Sequence, residues 1–126
     1  MKRTISTDDA AAAVGAYSQA TTNGDLLITA GQLPLTPDGD LLDDASIGDQ
    51  TALCLDNVRA ILASEGLSLE NVLKTTVYLD DIDDFEAFNE VYSEYFDSEP
   101  PARSAIEVSA VPKGAGIEIE AIATTE

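Results

Sequence analysis

The chain has 126 residues, a length usual for one domain and long enough to bury roughly two thirds of the surface its unfolded form exposes. It carries 24 acidic residues against 6 lysines and arginines, no histidine and one cysteine, for a formal net charge of -18. A polyanion of this kind is repelled by nucleic acid phosphates and by anionic membrane surfaces, which recruit proteins through Lys/Arg clusters. Without histidine there is no Ser-His-Asp or Cys-His pair, and one thiol alone makes no zinc site.

No stretch approaches the ~18 apolar residues of a membrane span. A single cysteine forms no internal disulfide, and the run from Ala10 to Val14 is too short and weakly apolar for a secretory core, so the expected location is the cytoplasm. The acidic excess is spread along the whole chain and solvates its entire surface. Because screening lengths shrink to about 3 Å at 1 M salt, such a surface suits a salt-rich cytoplasm, as in a halophilic microbe. The runs Asp43-Asp44 and Asp80-Asp81 with Asp83-Asp84 read as turns and helix starts rather than metal sites.

In chain order, Leu26 to Ala30 reads as a short buried strand after the turn Asn23-Gly24-Asp25, with a hairpin across it. From Ser46 to Glu65 the positions Ile47, Thr51, Cys54, Val58 and Ile61-Leu62 recur at helical spacing. Ser46 with Asp49 resembles a capping box, and Gly66 supplies the stop. Cys54 falls on the apolar stripe and reads as core. Val72 to Leu79, rich in β-branched residues, reads as a strand. Asp83 with Glu86 gives a second capping pattern, followed by an aromatic stripe of Phe85, Phe88, Tyr92 and Tyr95-Phe96. That stripe is expected to pack against a sheet rather than to serve as a ligand platform.

Pro100-Pro101 forces extended backbone, and two strands follow, Ala102 to Val108 and Ile117 to Thr124. In the second, Ile117, Ile119, Ala121 and Ala123 face one way and Glu118 and Glu120 the other. These elements predict one α+β domain spanning residues 1–126, with two helices on one face of a single mixed sheet. The uncovered face then calls for association into a homo-oligomer.

Few residues are left to carry chemistry. Arg103, one of six basic residues, lies inside a strand, where a cation either pairs with one of the many acids or grips a ligand carboxylate with its planar fork. Glu118 and Glu120 are open to two readings as well, a solvated strand face or a catalytic carboxylate. Gly114-Ala115-Gly116 lacks the lysine and the strand-to-helix context of a phosphate loop.

Six segments in order carry a resemblance: Gly15-Ala16-Tyr17-Ser18-Gln19, Gly31-Gln32-Leu33-Pro34, Gln50 with Asn57, Asn89-Glu90-Val91-Tyr92, Pro101-Ala102-Arg103, and Val111-Pro112-Lys113-Gly114 through Glu118-Ile119-Glu120-Ala121. With them the chain resembles the RidA family of reactive-imine deaminases, long labelled translation-inhibitor or L-PSP-like proteins, from about Thr4 to Ala123. The resemblance implies a chorismate-mutase-like fold, a homotrimer with sites between subunits, and hydrolysis of 2-imino acids such as 2-iminobutanoate and 2-iminopropanoate to 2-keto acids and ammonia, with no cofactor and no metal. It implies that Arg103 binds the substrate carboxylate, that Glu118 positions the attacking water, that Tyr17 and the Gly31 backbone line the cleft, and that Asn89 and the Lys113-Gly114 loop lie close by.

The chain departs from the family pattern at Ala16, Ala30 and Ala105, where relatives often carry Pro, Ser and Cys, which bears on substrate range more than on reaction type. The alternatives are a carboxylate-metabolite binding or regulatory protein without turnover, and a translation-inhibiting endoribonuclease, which the net charge opposes. A holdase-like chaperone finds no support in any apolar tract.

Overall fold

The computed structural model describes residues 1–126. Six strands and two helices follow one another as β1 (Arg3–Ile5), β2 (Ala20–Thr22), β3 (Leu26–Thr29), α1 (Ile47–Ala63), β4 (Val72–Leu79), α2 (Phe85–Tyr95), β5 (Ala102–Glu107) and β6 (Ile117–Thr124). The strands form one mixed sheet in the order β1-β2-β3-β6-β4-β5. All pairs are antiparallel except β4 with β5, which α2 connects in parallel.

Local chemistry sets the boundaries. Asn23 turns the β2–β3 hairpin, its Oδ1 accepting from the Asp25 and Leu26 amides, while Gly24 takes a φ of 97° that side-chain-bearing residues avoid. Ser46 caps α1 by accepting from the Asp49 amide at 3.1 Å. Gly66, at φ 74°, lets the chain leave α1, and the Leu67 amide returns to the Leu62 carbonyl at 3.0 Å. The second cap differs from the sequence expectation. Asp83 lies inside a short 3-10 turn, Ile82–Asp84, which Asp81 caps instead, and α2 begins directly out of that turn. The short strand β1 is also additional to the sequence reading, which had no apolar run to mark it.

Alternation along β6 divides the sheet into two faces. Ile117, Ile119, Ala121 and Ala123 are buried beneath the helices with Val77 and Leu79 of β4, and Leu55, Val58, Ile61 and Leu62 of α1 close over them. Cys54 is fully buried in this core, and burial pushes its thiol pKa well up. Both helices cover this face. The opposite face carries Glu118, Glu120 and Ile122 of β6, Tyr78 of β4, and the exposed apolar side chains Ile28 and Ile106, and no element of the chain covers it.

Candidate functional site

Arg103 sits on the edge strand β5, in register with Thr75 of β4, and its side chain turns to the helix face, where α2 runs alongside. Its Nη1 donates to Asn89 Oδ1 at 2.7 Å. The guanidinium carbon lies 5.5, 5.3 and 4.8 Å from the ring centroids of Phe85, Phe88 and Tyr92. A pocket of about 300 Å³ opens beside it, lined also by Ser93, Phe96, Pro100 and Pro101. The chain's two ion pairs are Arg3 with Glu65 and Arg59 with Asp56. Arg103 belongs to neither, so within the chain the ion-pair alternative fails and the guanidinium stands free of any carboxylate.

The aromatic stripe of α2 thus has a second role that sequence reasoning missed. Phe88 and Tyr92 are buried packing residues, as expected, yet the same rings flank the guanidinium. The signal lay in the spacing: positions 85, 88 and 92 fall on one helix side, but only the parallel β4–β5 register shows that this side meets Arg103.

Glu118 stands on the opposite face of the sheet. It packs on the backbone of Gly31, where an added Cβ would come within 2.6 Å of its Cδ and 2.8 Å of its Oε2. Partial burial, and then the charge of Glu120, raise its pKa from the ordinary glutamate value. Glu120 accepts a hydrogen bond from Tyr78 Oη at 2.9 Å. Gly31 and Tyr17 share a small cleft of about 30 Å³. Tyr17 is 54% exposed, and its hydroxyl accepts from the Val14 amide at 3.3 Å.

The segment holding Tyr17 is fixed by a residue whose part the sequence alone did not disclose. Gln19 is buried; its Oε1 accepts from the Thr7 amide at 2.6 Å, and its Nε2 donates to the Thr7 and Ala11 carbonyls at 3.0 and 2.8 Å. Gly114 lies apart from both groups, in the exposed loop before β6 at φ 78°, next to Lys113 at φ 63°, and lines neither cleft. Gln50 ties that loop to α1 by accepting from the Gly116 amide at 2.9 Å.

Apart from Gly114, the predicted residues therefore fall into two sets. Arg103 and Asn89 lie at the helix-side edge, Tyr17, Gly31 and Glu118 on the open side, and the sheet stands between them. No one pocket of the chain is lined by residues of both sets.

The family model described as Endoribonuclease L-PSP matches residues 7–125. The chain belongs to the L-PSP, or RidA, family. A RutC family protein of Pyrococcus horikoshii is 49% identical over 126 residues, covering both chains in full. TdcF of Escherichia coli, whose name assigns it provisionally to the reactive intermediate deaminases, is 41% identical over 127 residues, covering 98% of this chain and 97% of its own. Among solved structures, a Thermotoga maritima protein superposes with a TM-score of 0.95 at 44% identity, covering 100% and 99% of the two chains. TdcF with bound serine superposes at 0.92, with 40% identity over 97% and 98%. These likenesses match the α+β architecture across the whole chain, and the segment that an L-PSP member shares with its family model contains all six motifs quoted above.

Proposed function

We propose that this L-PSP protein is a 2-imino acid deaminase, hydrolysing substrates such as 2-iminobutanoate and 2-iminopropanoate to 2-keto acids and ammonia in clefts between the subunits of a homotrimer. The observation that carries this reading is the free guanidinium of Arg103, in a chain with 24 acids, beside a pocket of about 300 Å³. A bidentate grip on a carboxylate by such a fork is worth about 1.5–3 kcal/mol. The separation of Arg103 and Glu118 on opposite faces supports a site completed by a second copy. The uncovered face with Ile28 and Ile106 supports association as well.

The chemistry requires little beyond position. In a protonated imine the C2 carbon is already electrophilic. Arg103 holds the substrate carboxylate, with Asn89 fixing the fork. Glu118, supplied by the neighbouring copy and held against Gly31, accepts a proton from water as the water oxygen bonds to C2 and the C=N π pair moves to nitrogen. The carbinolamine amine takes that proton back. Its hydroxyl proton then passes to Glu118 as the carbonyl forms, and the C–N bond breaks to release ammonia. A raised pKa makes Glu118 a stronger base than an ordinary glutamate. Tyr17 lines the same cleft, the Lys113-Gly114 loop, apart from it within one chain, would reach it only from the neighbouring copy, and no cofactor is assigned. No helix of the chain is long and apolar enough to cross a membrane. A cytoplasmic location is part of the same proposal.

The test is to generate the imine in situ and follow its decay against buffer in high salt. Acceleration that Arg103→Ala abolishes, and that Glu118→Gln cuts more in rate than in binding, is the expected result. Decay no faster than in buffer sinks the reading. A second reading, ligand binding without turnover, draws on the serine in the TdcF structure, a ligand with no C=N bond to hydrolyse. Keto-acid binding without imine hydrolysis would decide for it. The family model's ribonuclease label is opposed by the net charge of -18.

A further inference from the structure

Resting on the reading of Arg103 as a carboxylate anchor, we propose that the aromatic face of α2, with Tyr92 moored to Thr75, is the device that positions this guanidinium and keeps it unpaired. Tyr92, Phe85 and Phe88 are positioning residues that act on the ligand through Arg103.

An arginine in so acidic a chain would ordinarily be claimed by a carboxylate, and both other arginines are. Arg103 is held differently. Its Cζ lies 4.8 Å from the Tyr92 centroid, 5.3 Å from Phe88 and 5.5 Å from Phe85, all within cation–π range. Its one side-chain hydrogen bond in the chain goes to a neutral amide oxygen, Asn89 Oδ1. Rings and an amide orient a guanidinium without cancelling its charge. They also replace part of its hydration, which strengthens its attraction for an incoming anion. An ion pair would orient it equally well, but would use up the fork that the ligand needs.

The rings are themselves fixed. Phe85 meets Phe88 at 5.5 Å in an edge-on arrangement, and Phe88 meets Tyr92 at 5.4 Å. The Tyr92 hydroxyl shares a hydrogen bond of 2.7 Å with Thr75 Oγ1, and both residues are buried. Thr75 is the β4 residue in register with Arg103. A closed circuit results, from Arg103 across the sheet to Thr75, through the hydroxyl bond to Tyr92, and back to the guanidinium through the ring face. The circuit fixes the spacing between α2 and the β4–β5 edge at the one place where the cation must stand.

The decisive variant is Phe85→Leu, because Phe85 is only partly buried and its loss leaves the buried rings in place. Two measurements apply: the affinity for 2-oxobutanoate by calorimetry, and the ring-current-shifted Nε–H resonance of Arg103 by NMR. The expected result is a five- to tenfold weaker affinity, movement of the resonance toward the random-coil position, and recovery of both in Phe85→Tyr. Tyr92→Phe, which keeps the ring and removes the Thr75 bond, is expected to raise KM for the imine more than it lowers kcat. Arg103→Lys is expected not to bind, since an ammonium neither stacks nor forks. Unchanged keto-acid affinity in both Phe85→Leu and Tyr92→Phe, with Arg103→Ala still abolishing binding, overturns the positioning role while leaving the anchor intact. If wild-type protein neither binds the keto acid nor hydrolyses the imine, the functional reading fails, and the positioning proposal with it.

Discussion

Gly31→Ala separates placement of Glu118, the carboxylate to which the proposed function gives the proton transfer, from stability of the fold. Gly31 has no left-handed φ, so alanine fits its backbone, and the change taken alone stabilises by about 0.4–1 kcal/mol through the unfolded chain. The cost falls on one neighbour. The new Cβ would stand 2.6 Å from Glu118 Cδ, 2.8 Å from Oε2 and 3.0 Å from Cγ. Ordinary contact needs about 3.5 Å or more, so the carboxylate must retreat by about 1 Å. It is the end of a flexible side chain on the uncovered face and can do so without moving the strand.

A misplacement of about 1 Å costs on the order of 100-fold in a reaction that depends on positioning. Gly31→Ala should therefore lower kcat for imine hydrolysis by about two orders of magnitude, while Tm stays within about 4 °C of wild type. The two are read from in situ imine decay and a thermal melt monitored by circular dichroism. In a Glu118→Gln background the same change should add little, because the group it displaces has already lost its function. Activity within twofold of wild type in Gly31→Ala refutes the placement argument. A collapse of Tm shows instead that the contact serves the fold.

Other outcomes follow from the same geometry. Asn89→Ala removes the 2.7 Å bond that orients Arg103 and should weaken keto-acid binding about fivefold to tenfold by calorimetry, with little change in Tm. Because burial and then Glu120 raise the pKa of Glu118, the folded state binds its proton more tightly than the unfolded state does; stability is lost as pH rises through that raised value. Glu118→Gln should therefore raise Tm slightly at neutral pH while sharply lowering kcat to a measurable residual rate, and Glu120→Gln should move the acid limb of the kcat/KM profile to lower pH. Cys54, buried and with its thiol pKa pushed up, should react with a thiol reagent only after denaturation, as a time course with and without guanidinium would show.

Much of this could be read from residue order. The bounds of β4 and β6 follow from β-branched content and strict alternation, and the helix over Ile47–Ala63 from its apolar period and Gly66 stop. What stayed hidden depends on contacts between distant segments. β1 is three residues long and owes its place to pairing with β2. The α2 start shifted because Asp81 won the competition to cap the preceding turn, a contest among neighbouring acids that spacing does not decide. The family resemblance placed the Gly31 backbone in the cleft with Glu118, but spacing gives no sign that the two meet across 87 positions, since the approach arises where the chain after β3 meets β6 through the Gln32–Ile119 bridge. Gln19 likewise looks like any polar loop residue until its four hydrogen-bonding directions are seen inside the fold.

Under the proposed function the two-sided arrangement would tie activity to assembly, and the charge would make that link sensitive to salt. Arg103 reaches the helix-side edge and Glu118 the open face because β5 and β6 are both bonded to β4 yet present these residues with opposite pleat. Within one chain the two side chains stay on opposite faces of the sheet, and under the proposed function a second copy brings them together. Each copy brings a formal charge of -18, so the proposed association would bring like charges together. At 0.1 M salt the repulsion acts over about 10 Å, and at 1 M over about 3 Å. Short-range burial of the apolar side chains on the open face is nearly unaffected by that change in screening, while the opposing term shrinks. High salt is therefore expected to favour the proposed assembled site, with the acidic surface acting as a salt-dependent weight on the equilibrium between chains that would each hold half of it.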